Sequence, residues 1–307
     1  MSPPLTPVPA RRVAVAEPPD VGGPPVPGRL PGWTIWFAAG AALLAAAGSV
    51  VGLVPSAAIY GRETAIFADQ AAAQDLVNLL LVAPLLLVLG RRARRGQLGA
   101  LFGWLGCLGF TVYNYAIYAF SIHFGPLFLV WVAVLGLSLF ALIGSVAALD
   151  TGAIRARFAG KTLRWPGWVL LVVAALFALL WLSRIVPDLL ARRPSQSAVE
   201  FNLPTNPVHV LDLAFFLPAV AASGVLLLRR QPWGFATAGA QLTFLALTCL
   251  PILVTPFVAS ARDHEPGWAV VGPVGLLLLT SLVTLRRLLR AVRPGRAPTE
   301  PLQQSVL

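Results

Sequence analysis

Two stretches of the sequence place chemically active side chains inside otherwise apolar runs. Gln74, Asp75 and Asn78 precede one long apolar run, and His209 and Asp212 open another. Residues three or four apart share one side of a helix, so the members of each set point in a common direction. A carboxylate can orient an imidazole as a general base, help to hold a divalent metal, or carry a proton through a membrane.

A third polar stretch, at 111–118, contains Asn114 among three tyrosines. Its amide and hydroxyl groups can donate hydrogen bonds to the volume that the two carboxylates face. The predicted ligand-binding set is Gln74, Asp75, Asn78, Asn114, Tyr115, Tyr118, His209 and Asp212. Within this set, His209 and Asp212 are the candidate catalytic residues, and Asp75, His209 and Asp212 are the candidate metal ligands. Glu200 and Asn202 are predicted to cover the pocket from a loop.

Each of these groups also has a purely structural interpretation. Asp75 and Asn78 could join helices by hydrogen bonds, and tyrosines are frequent in the aromatic belt of a membrane protein. By the same reasoning Asp69 would cap the helix that follows it, and His264 would belong to a solvated loop. The sequence alone leaves both interpretations open.

The composition identifies the elements that must position these side chains. The chain is 57% hydrophobic and 11% charged, with a mean hydropathy of +0.78, whereas a soluble domain carries about 25% charged residues. The sequence therefore predicts a membrane protein. Its two cysteines, Cys107 and Cys249, both lie in apolar runs, which argues against a disulfide or a zinc site.

A membrane-spanning helix needs about 20 apolar residues, and the chain contains eight such segments. They are predicted at 33–54, 71–90, 98–120, 125–149, 165–186, 207–228, 233–259 and 268–288. The predicted fold is an all-α polytopic helix bundle at 33–290, with Pro-rich or polar disordered cytoplasmic tails at 1–32 and 291–307. Two prolines, Pro251 and Pro256, predict that the seventh span is the most distorted.

Basic residues predict the orientation of the bundle. Of the 23 Lys and Arg residues, 18 fall in the two tails and in alternate loops, with four of them at 91–95. Since such residues favour the cytoplasm, both termini are predicted to be cytoplasmic in a cell-membrane protein. With this orientation the polar groups crowd the half of the bundle away from the cytosol. We expect them to form an outward-opening pocket between the second, third and sixth spans.

Several function classes are disfavoured. The sequence has no GxSxG or HExxH motif, no phosphate-binding glycine loop, and no haem, flavin, nucleotide or zinc motif. Lys161, the one lysine, lies in a loop, which excludes an intramembrane Schiff base. No folded nucleic-acid module is present, so the expected partners are the lipid bilayer and a small molecule.

Three functions remain open, and the oligomeric state is not determined by the sequence. The first is the binding or sensing of a small ligand, lipid head group or ion from the outside. The second is an intramembrane enzyme, in which a divalent metal remains an alternative to plain His/Asp chemistry. The third is a proton- or ion-coupled transporter that uses Asp75 or Asp212.

Four segments resemble a group of bacterial multi-pass integral membrane proteins to which no activity is assigned. These segments are 59–64 (IYGRET), 74–78 (QDLVN), 113–120 with His123 and Phe124 (YNYAIYAF, HF), and 206–212 (NPVHVLD). The resemblance implies a polytopic helical fold across most of the membrane region. It adds nothing about chemistry.

Overall fold

A computed structural model describes residues 30–54, 56–158 and 160–293, and the regular secondary structure in these residues is helical. Eight helices in this part of the chain are long and apolar enough to cross a membrane. They are α1 Gly32–Leu53, α2 Ala65–Arg94, α3 Leu98–Ser121, α4 Phe128–Ala147, α5 Arg164–Leu190, α6 Pro207–Leu228, α7 Pro232–Ala261 and α8 Trp268–Arg290. The prediction of an all-α protein with eight spans is confirmed, and the chain is a multi-pass membrane protein.

Short helices lie in three of the connections between the spans, at Ser56–Tyr60, Thr151–Ala156 and Gln196–Glu200. The tails predicted to be disordered fall almost wholly at 1–29 and 294–307, outside the described residues. Their disorder therefore stays a prediction.

The centre of the bundle is formed by α3 and α7. Helix α7 packs against α2, α3, α6 and α8, and α3 also packs against α2 and α4. Glycine permits the close approach of the two central helices, since a Cβ at Gly106 of α3 would meet the Ala240 carbonyl oxygen of α7. Small residues at such contacts bring membrane helices together without a hydrophobic driving force.

Helices α2 and α6 each contain one π-helical turn, at Asn78–Val82 and Asp212–Phe216. In α2 the N–H of Ala83 bonds to the Asn78 carbonyl oxygen, five residues back, and Pro84 follows. In α6, Pro218 follows the π-turn at the same spacing in the sequence. Because proline has no N–H to donate and its ring crowds the preceding turn, it favours a local widening of this kind. Both widened turns begin at residues that the sequence marked as candidate site residues.

The seventh span does not show a comparable change of helix type. Helix α7 is α-helical from Pro232 to Ala261, although Pro251 and Pro256 lie inside it. The hydroxyl of Thr255 donates to the carbonyl oxygen of Pro251, at 2.8 Å. The two prolines are therefore accommodated within an α-helix, and the π-turns lie in α2 and α6 instead.

Helix α2 begins six residues earlier than its predicted start at residue 71. The side chain of Thr64 caps it by accepting from the N–H of Phe67. Asp69 consequently lies inside the helix, and the prediction that it is the cap is wrong. The error arose because Asp69 and Gln70 interrupt the apolar pattern that marks a span, whereas the helix continues through both, with Asp69 buried and Gln70 exposed.

Successive spans run in opposite directions, so alternate connections meet at the same face. We call the face with the α2–α3, α4–α5 and α6–α7 connections the arginine-rich face. Its basic residues include Arg91, Arg92, Arg94, Arg95, Arg155, Arg229 and Arg230. We call the opposite face, which carries Arg62, Arg192 and Arg262, the arginine-poor face.

Candidate functional site

Asp75 is the centre of a buried polar cluster formed by α1, α2, α3 and the helix Ser56–Tyr60. Asp75 is 1% exposed. The hydroxyl of Ser49 donates to Oδ1 at 3.0 Å, and that of Tyr60 donates to Oδ2 at 2.6 Å. The Tyr118 hydroxyl lies 3.3 Å from Oδ1. In the part of the chain that the structure describes, no Lys, Arg or His contacts this carboxyl group.

The carboxyl group fits here because α1 has no side chain opposite it. A Cβ at Gly52 would collide with Oδ2 of Asp75 and would lie 2.8 Å from the Tyr60 hydroxyl. Gly52 follows Ser49 by three residues, so the hydroxyl donor and the space for its acceptor lie on one side of α1. Asp75 is ten residues from the start of α2, which places it about 15 Å along the helix axis.

The donors around Asp75 are neutral groups. Burial first, and then the neighbouring Asp75 carboxylate, raise the pKa of Tyr60 above its usual range. Its hydroxyl therefore keeps its proton and donates a hydrogen bond to Asp75. Tyr115 is also buried here, with its ring centroid 5.5 Å from that of Tyr118.

The Tyr118 hydroxyl has two acceptors but one proton. It lies 2.9 Å from the carbonyl oxygen of Ala71 and 3.3 Å from Oδ1 of Asp75. A hydroxyl donates one hydrogen bond and can accept others, whereas a carbonyl oxygen can only accept. When Tyr118 donates to Ala71, it can accept from a protonated Asp75; when it donates to Asp75, it stabilises the ionised form.

Three buried amide side chains lie near this cluster along α2 and α3. Gln74 donates to the side-chain oxygen of Asn78 at 3.0 Å. The Nδ2 atoms of Asn78 and Asn114 are buried and have no acceptor among the described residues. Buried polar groups without partners are uncommon in folded proteins, and a ligand with an acceptor atom would satisfy them.

His209 and Asp212 belong to a different neighbourhood, between α5 and α6. The indole Nε1 of Trp181 donates to Oδ2 of Asp212 at 2.8 Å. The His209 ring lies against the same indole, with 4.6 Å between the ring centroids. Trp181 thus contacts both side chains, and no hydrogen bond among the described residues joins the imidazole to the carboxylate that was expected to orient it.

The structure therefore distributes the predicted site residues over several groups, and the amide nitrogen of Asn114 has no hydrogen-bond partner among the described residues. Asp75 lies with Tyr115 and Tyr118, and Gln74 lies with Asn78, whereas His209 and Asp212 share Trp181. Within the described ranges, no three His, Cys, Asp or Glu side chains come together as ligands for a metal ion. The set of Asp75, His209 and Asp212 is accordingly not gathered at one point.

The predicted lid residues lie elsewhere. Glu200 lines a surface cavity of about 300 Å³ with Arg184 and Asp188, and Asn202 is exposed, with φ of 54°. Asp188 accepts from Arg193 at 2.7 Å. This cavity is polar, and Asp75 and Asn114 do not line it.

An ion-pair cluster connects α2 to the end of α7 at the arginine-poor face. Asp69 is 2% exposed, and its two oxygens accept from Arg262 at 3.1 Å and from His264 Nδ1 at 2.7 Å. Arg262 also donates to the Ser56 hydroxyl at 3.0 Å. The interpretation of His264 as part of a solvated loop is therefore incomplete, because its ring bonds to a buried carboxylate six residues before Asp75.

Sequence reasoning missed Ser49, Tyr60 and Trp181 as partners of the two aspartates. Ser49 lies in a run of small residues that is typical of a helix-packing surface, and Trp181 follows a long apolar run, where a tryptophan is typical of the aromatic belt. A usable signal was Gly52, one helical turn from Ser49, where the absence of a side chain leaves space on α1. A buried carboxylate in a membrane needs hydrogen-bond donors. A glycine beside a serine on a neighbouring helix indicates where the carboxylate and its donor can meet.

Comparison with known proteins gives one partial similarity. The chain is 36% identical over 138 residues to the "Putative transport protein" of Mycobacterium tuberculosis (strain CDC 1551 / Oshkosh). The similar region covers 42% of this chain and 34% of the relative, so the chain matches about a third of that protein's length. No family model and no solved structure matches the chain.

Proposed function

We propose that this membrane protein moves a small solute across the cell membrane together with a proton, and that Asp75 carries the proton. The observation that carries the proposal is the burial of the Asp75 carboxyl group within α2, among hydroxyl donors and without a cationic partner in the described residues. An isolated charge at such a position is costly, and ionisable groups inside membrane spans commonly serve proton or ion movement.

The hydrogen bonds around Asp75 suit both of its protonation states. Rotation of the Tyr118 hydroxyl exchanges its acceptor between the Ala71 carbonyl oxygen and Asp75 Oδ1, which lie 2.9 and 3.3 Å away. The Tyr118 hydroxyl therefore has an acceptor for its proton whether Asp75 is protonated or ionised. A group that must bind and release a proton in each cycle needs such an arrangement, whereas a purely structural hydrogen bond does not.

Two features of α2 on either side of Asp75 would alternate its access. Six residues toward the arginine-poor face, Asp69 is held by Arg262 and His264. Three residues the other way, the π-turn begins at Asn78. Opening the ion-pair cluster would admit water or solute from one face, and bending at the π-turn would admit it from the other.

The partial similarity to a protein named "Putative transport protein" supports our choice of transport over simple binding. The similarity is confined to 42% of this chain, and it supports transport as a class without naming a solute. The arginine-rich face would be cytoplasmic, in line with the distribution of basic residues.

A binding or sensing protein is the second candidate. It is favoured by the Nδ2 atoms of Asn78 and Asn114, which have no acceptor among the described residues. Carbonyl or carboxylate oxygens of a ligand would supply the acceptors that these atoms lack. An intramembrane enzyme has weaker support, because Asp212 accepts from Trp181 and does not orient His209 as a general base.

Infrared spectroscopy tests the role of Asp75 before any solute is known. The purified protein is titrated between acidic and alkaline buffer, and the carbonyl stretch of a protonated carboxylic acid is followed. We expect this band to lose one component in Asp75→Asn and to be unchanged in Arg192→Gln, which alters an exposed loop residue that has no carboxyl group. A band that is the same in Asp75→Asn and wild type would contradict the proposal.

Proteoliposomes that contain a pH-sensitive dye test the transport itself. Amino acids, dicarboxylates and sugars are added outside, one class at a time, and the internal pH is followed. We expect one class to drive proton entry with wild type and Asp263→Asn, and no proton entry with Asp75→Asn. A solute that stabilises the protein against heat, but moves neither itself nor protons, would instead identify a binding protein.

A further inference from the structure

A groove opens at the arginine-rich face where the start of α1 meets the end of α2. Its volume is about 450 Å³, and it is lined by Ile35, Trp36, Ala39, Leu86, Leu87, Arg91, Arg94 and Arg95. The lining thus combines an apolar wall from both helices with three arginines from the last turn of α2 and its C-terminal end. None of the residues discussed for proton or solute binding contributes to it.

We propose that this groove binds an anionic phospholipid of the leaflet at the arginine-rich face. The phosphate of the head group lies against Arg91, Arg94 and Arg95, and an acyl chain lies along Trp36 and Leu87. This inference is independent of the proposed transport function.

Among the described residues, no acidic side chain lines the groove to compensate its charge. Its lining contains three arginines and no acidic residue, and the ion pairs among the described residues involve other positions. Arginine side chains match the geometry of phosphate oxygens by donating two parallel hydrogen bonds. Basic pockets between spans at one leaflet are recognised binding places for anionic head groups.

The start of α1 adds a favourable field at the same place. This helix has 22 residues, no acidic residue in its first turn and no side-chain cap at Pro31. The free N–H groups and the helix dipole make such an end attractive to an anion. Because Ile35 and Trp36 of the groove follow directly, the helix end and the arginines face a common region.

The apolar wall selects a lipid over a soluble anion. Trp36 is 74% exposed, close to the end of a span where tryptophan favours the boundary between lipid tails and head groups. Ala39 and Leu87 continue the groove toward the membrane interior. A free phosphate would use the arginines alone, whereas a phospholipid occupies the charged mouth and the apolar wall together.

Native mass spectrometry of the full chain in detergent tests the proposal. Phosphatidylglycerol is the anionic probe, and phosphatidylcholine of the same chain length is the control. We expect one phosphatidylglycerol to bind wild type in preference to phosphatidylcholine. The variant R91Q/R94Q/R95Q should bind it at least about tenfold more weakly, given the contribution of each basic residue near a membrane surface.

A matched variant separates the groove from the general charge of the face. R155Q/R229Q/R230Q removes three exposed arginines from the same face, outside the groove, and should bind phosphatidylglycerol as wild type does. A third variant, Ala39→Trp, fills the apolar wall and keeps every charge. It should also weaken binding. Inorganic phosphate added together with phosphatidylglycerol should not displace the lipid from wild type.

Three results would overturn the proposal. One is equal binding of phosphatidylglycerol by wild type and R91Q/R94Q/R95Q. Another is an equal loss in both arginine variants, which would mean diffuse attraction to the face. The third is unchanged binding in Ala39→Trp, which would place the lipid elsewhere. Elution volume and thermal unfolding identify any variant that fails to fold, and Arg94→Gln alone then repeats the test with a smaller perturbation.

Discussion

The hydroxyl of Tyr60 lies 2.6 Å from Oδ2 of Asp75, although the two residues are 15 positions apart and belong to different helices. The chain reaches this contact by turning back after α1 through the helix Ser56–Tyr60. Tyr60 lies in a connection at the arginine-poor face, and its hydroxyl donates to a carboxyl group inside a span. This contact ties the buried acid to the connection between α1 and α2.

Loss of the Tyr60 hydroxyl should destabilise the protein through Asp75. We expect Tyr60→Phe to lower the free energy of unfolding by about 1–3 kcal/mol, because a buried acceptor then lacks its donor. In the Asp75→Asn background the same change should cost clearly less. Thermal unfolding of the four proteins in this double-mutant cycle measures the coupling. Equal costs in both backgrounds would mean that Tyr60 acts only by packing.

Alkaline pH should reveal the same contact. Burial, with a further effect of Asp75, raises the pKa of Tyr60. A tyrosine in the unfolded chain ionises at about pH 10. Above that pH the folded protein keeps a proton that the unfolded chain has lost. The corresponding stability is complete below about pH 10 and is lost as the pH rises further. The unfolding temperature of wild type should therefore fall more steeply with alkali than that of Tyr60→Phe; parallel curves would contradict this assignment.

The fold was more predictable than the site because hydropathy is a local property of the sequence. Eight apolar runs suffice to define eight spans, and only boundaries such as that of α2 needed correction. The residues that contact Asp75 depend on which helices become neighbours. Asp75 and Tyr118 were assigned to one pocket and do make contact. The expected link from Asp75 to Asp212 is absent from the described contacts, because Asp212 pairs with Trp181.

Helical periodicity could not show these neighbours, since it gives the direction of a side chain but not the helix opposite it. Asp69 illustrates the limit. Its type and position fitted a helix cap, yet its partner Arg262 is 193 residues away. Such a pair follows from the packing of α2 against α7, which no local pattern specifies.

Gly52 should be required for the space around Asp75. A Cβ at Gly52 would collide with the carboxyl group, so Gly52→Ala should destabilise the protein by about 1–3 kcal/mol despite the better helix propensity of alanine. Gly136 of α4 is the matched control, since a Cβ there meets nothing within 4 Å. Gly136→Ala should be neutral or stabilising by up to about 1 kcal/mol. Similar unfolding temperatures for the two variants would contradict the packing described here.

The ion-pair cluster at the arginine-poor face should contribute measurably to stability. Arg262→Gln removes the cation that lies 3.1 Å from the buried Asp69, and we expect a loss of about 1–3 kcal/mol. The value is below that of a fully buried pair because Arg262 is partly exposed and His264 remains as a partner. Arg192→Gln, at an exposed loop position, should change little. Thermal unfolding in the same detergent compares them, and equal effects would mean that the cluster does not hold α2 to α7.

The orientation of the bundle can be tested with single cysteines, because Cys107 and Cys249 are buried. Arg92 and Asp263 are exposed and lie at opposite faces. A membrane-impermeant maleimide should label Asp263→Cys in intact cells, and should label Arg92→Cys only after the membrane is opened. This result follows if the arginine-rich face is cytoplasmic, where basic residues are retained during insertion. The reverse pattern would place the ion-pair cluster of Asp69 toward the cytosol, and the proposed entry of protons to Asp75 would then start from the other side.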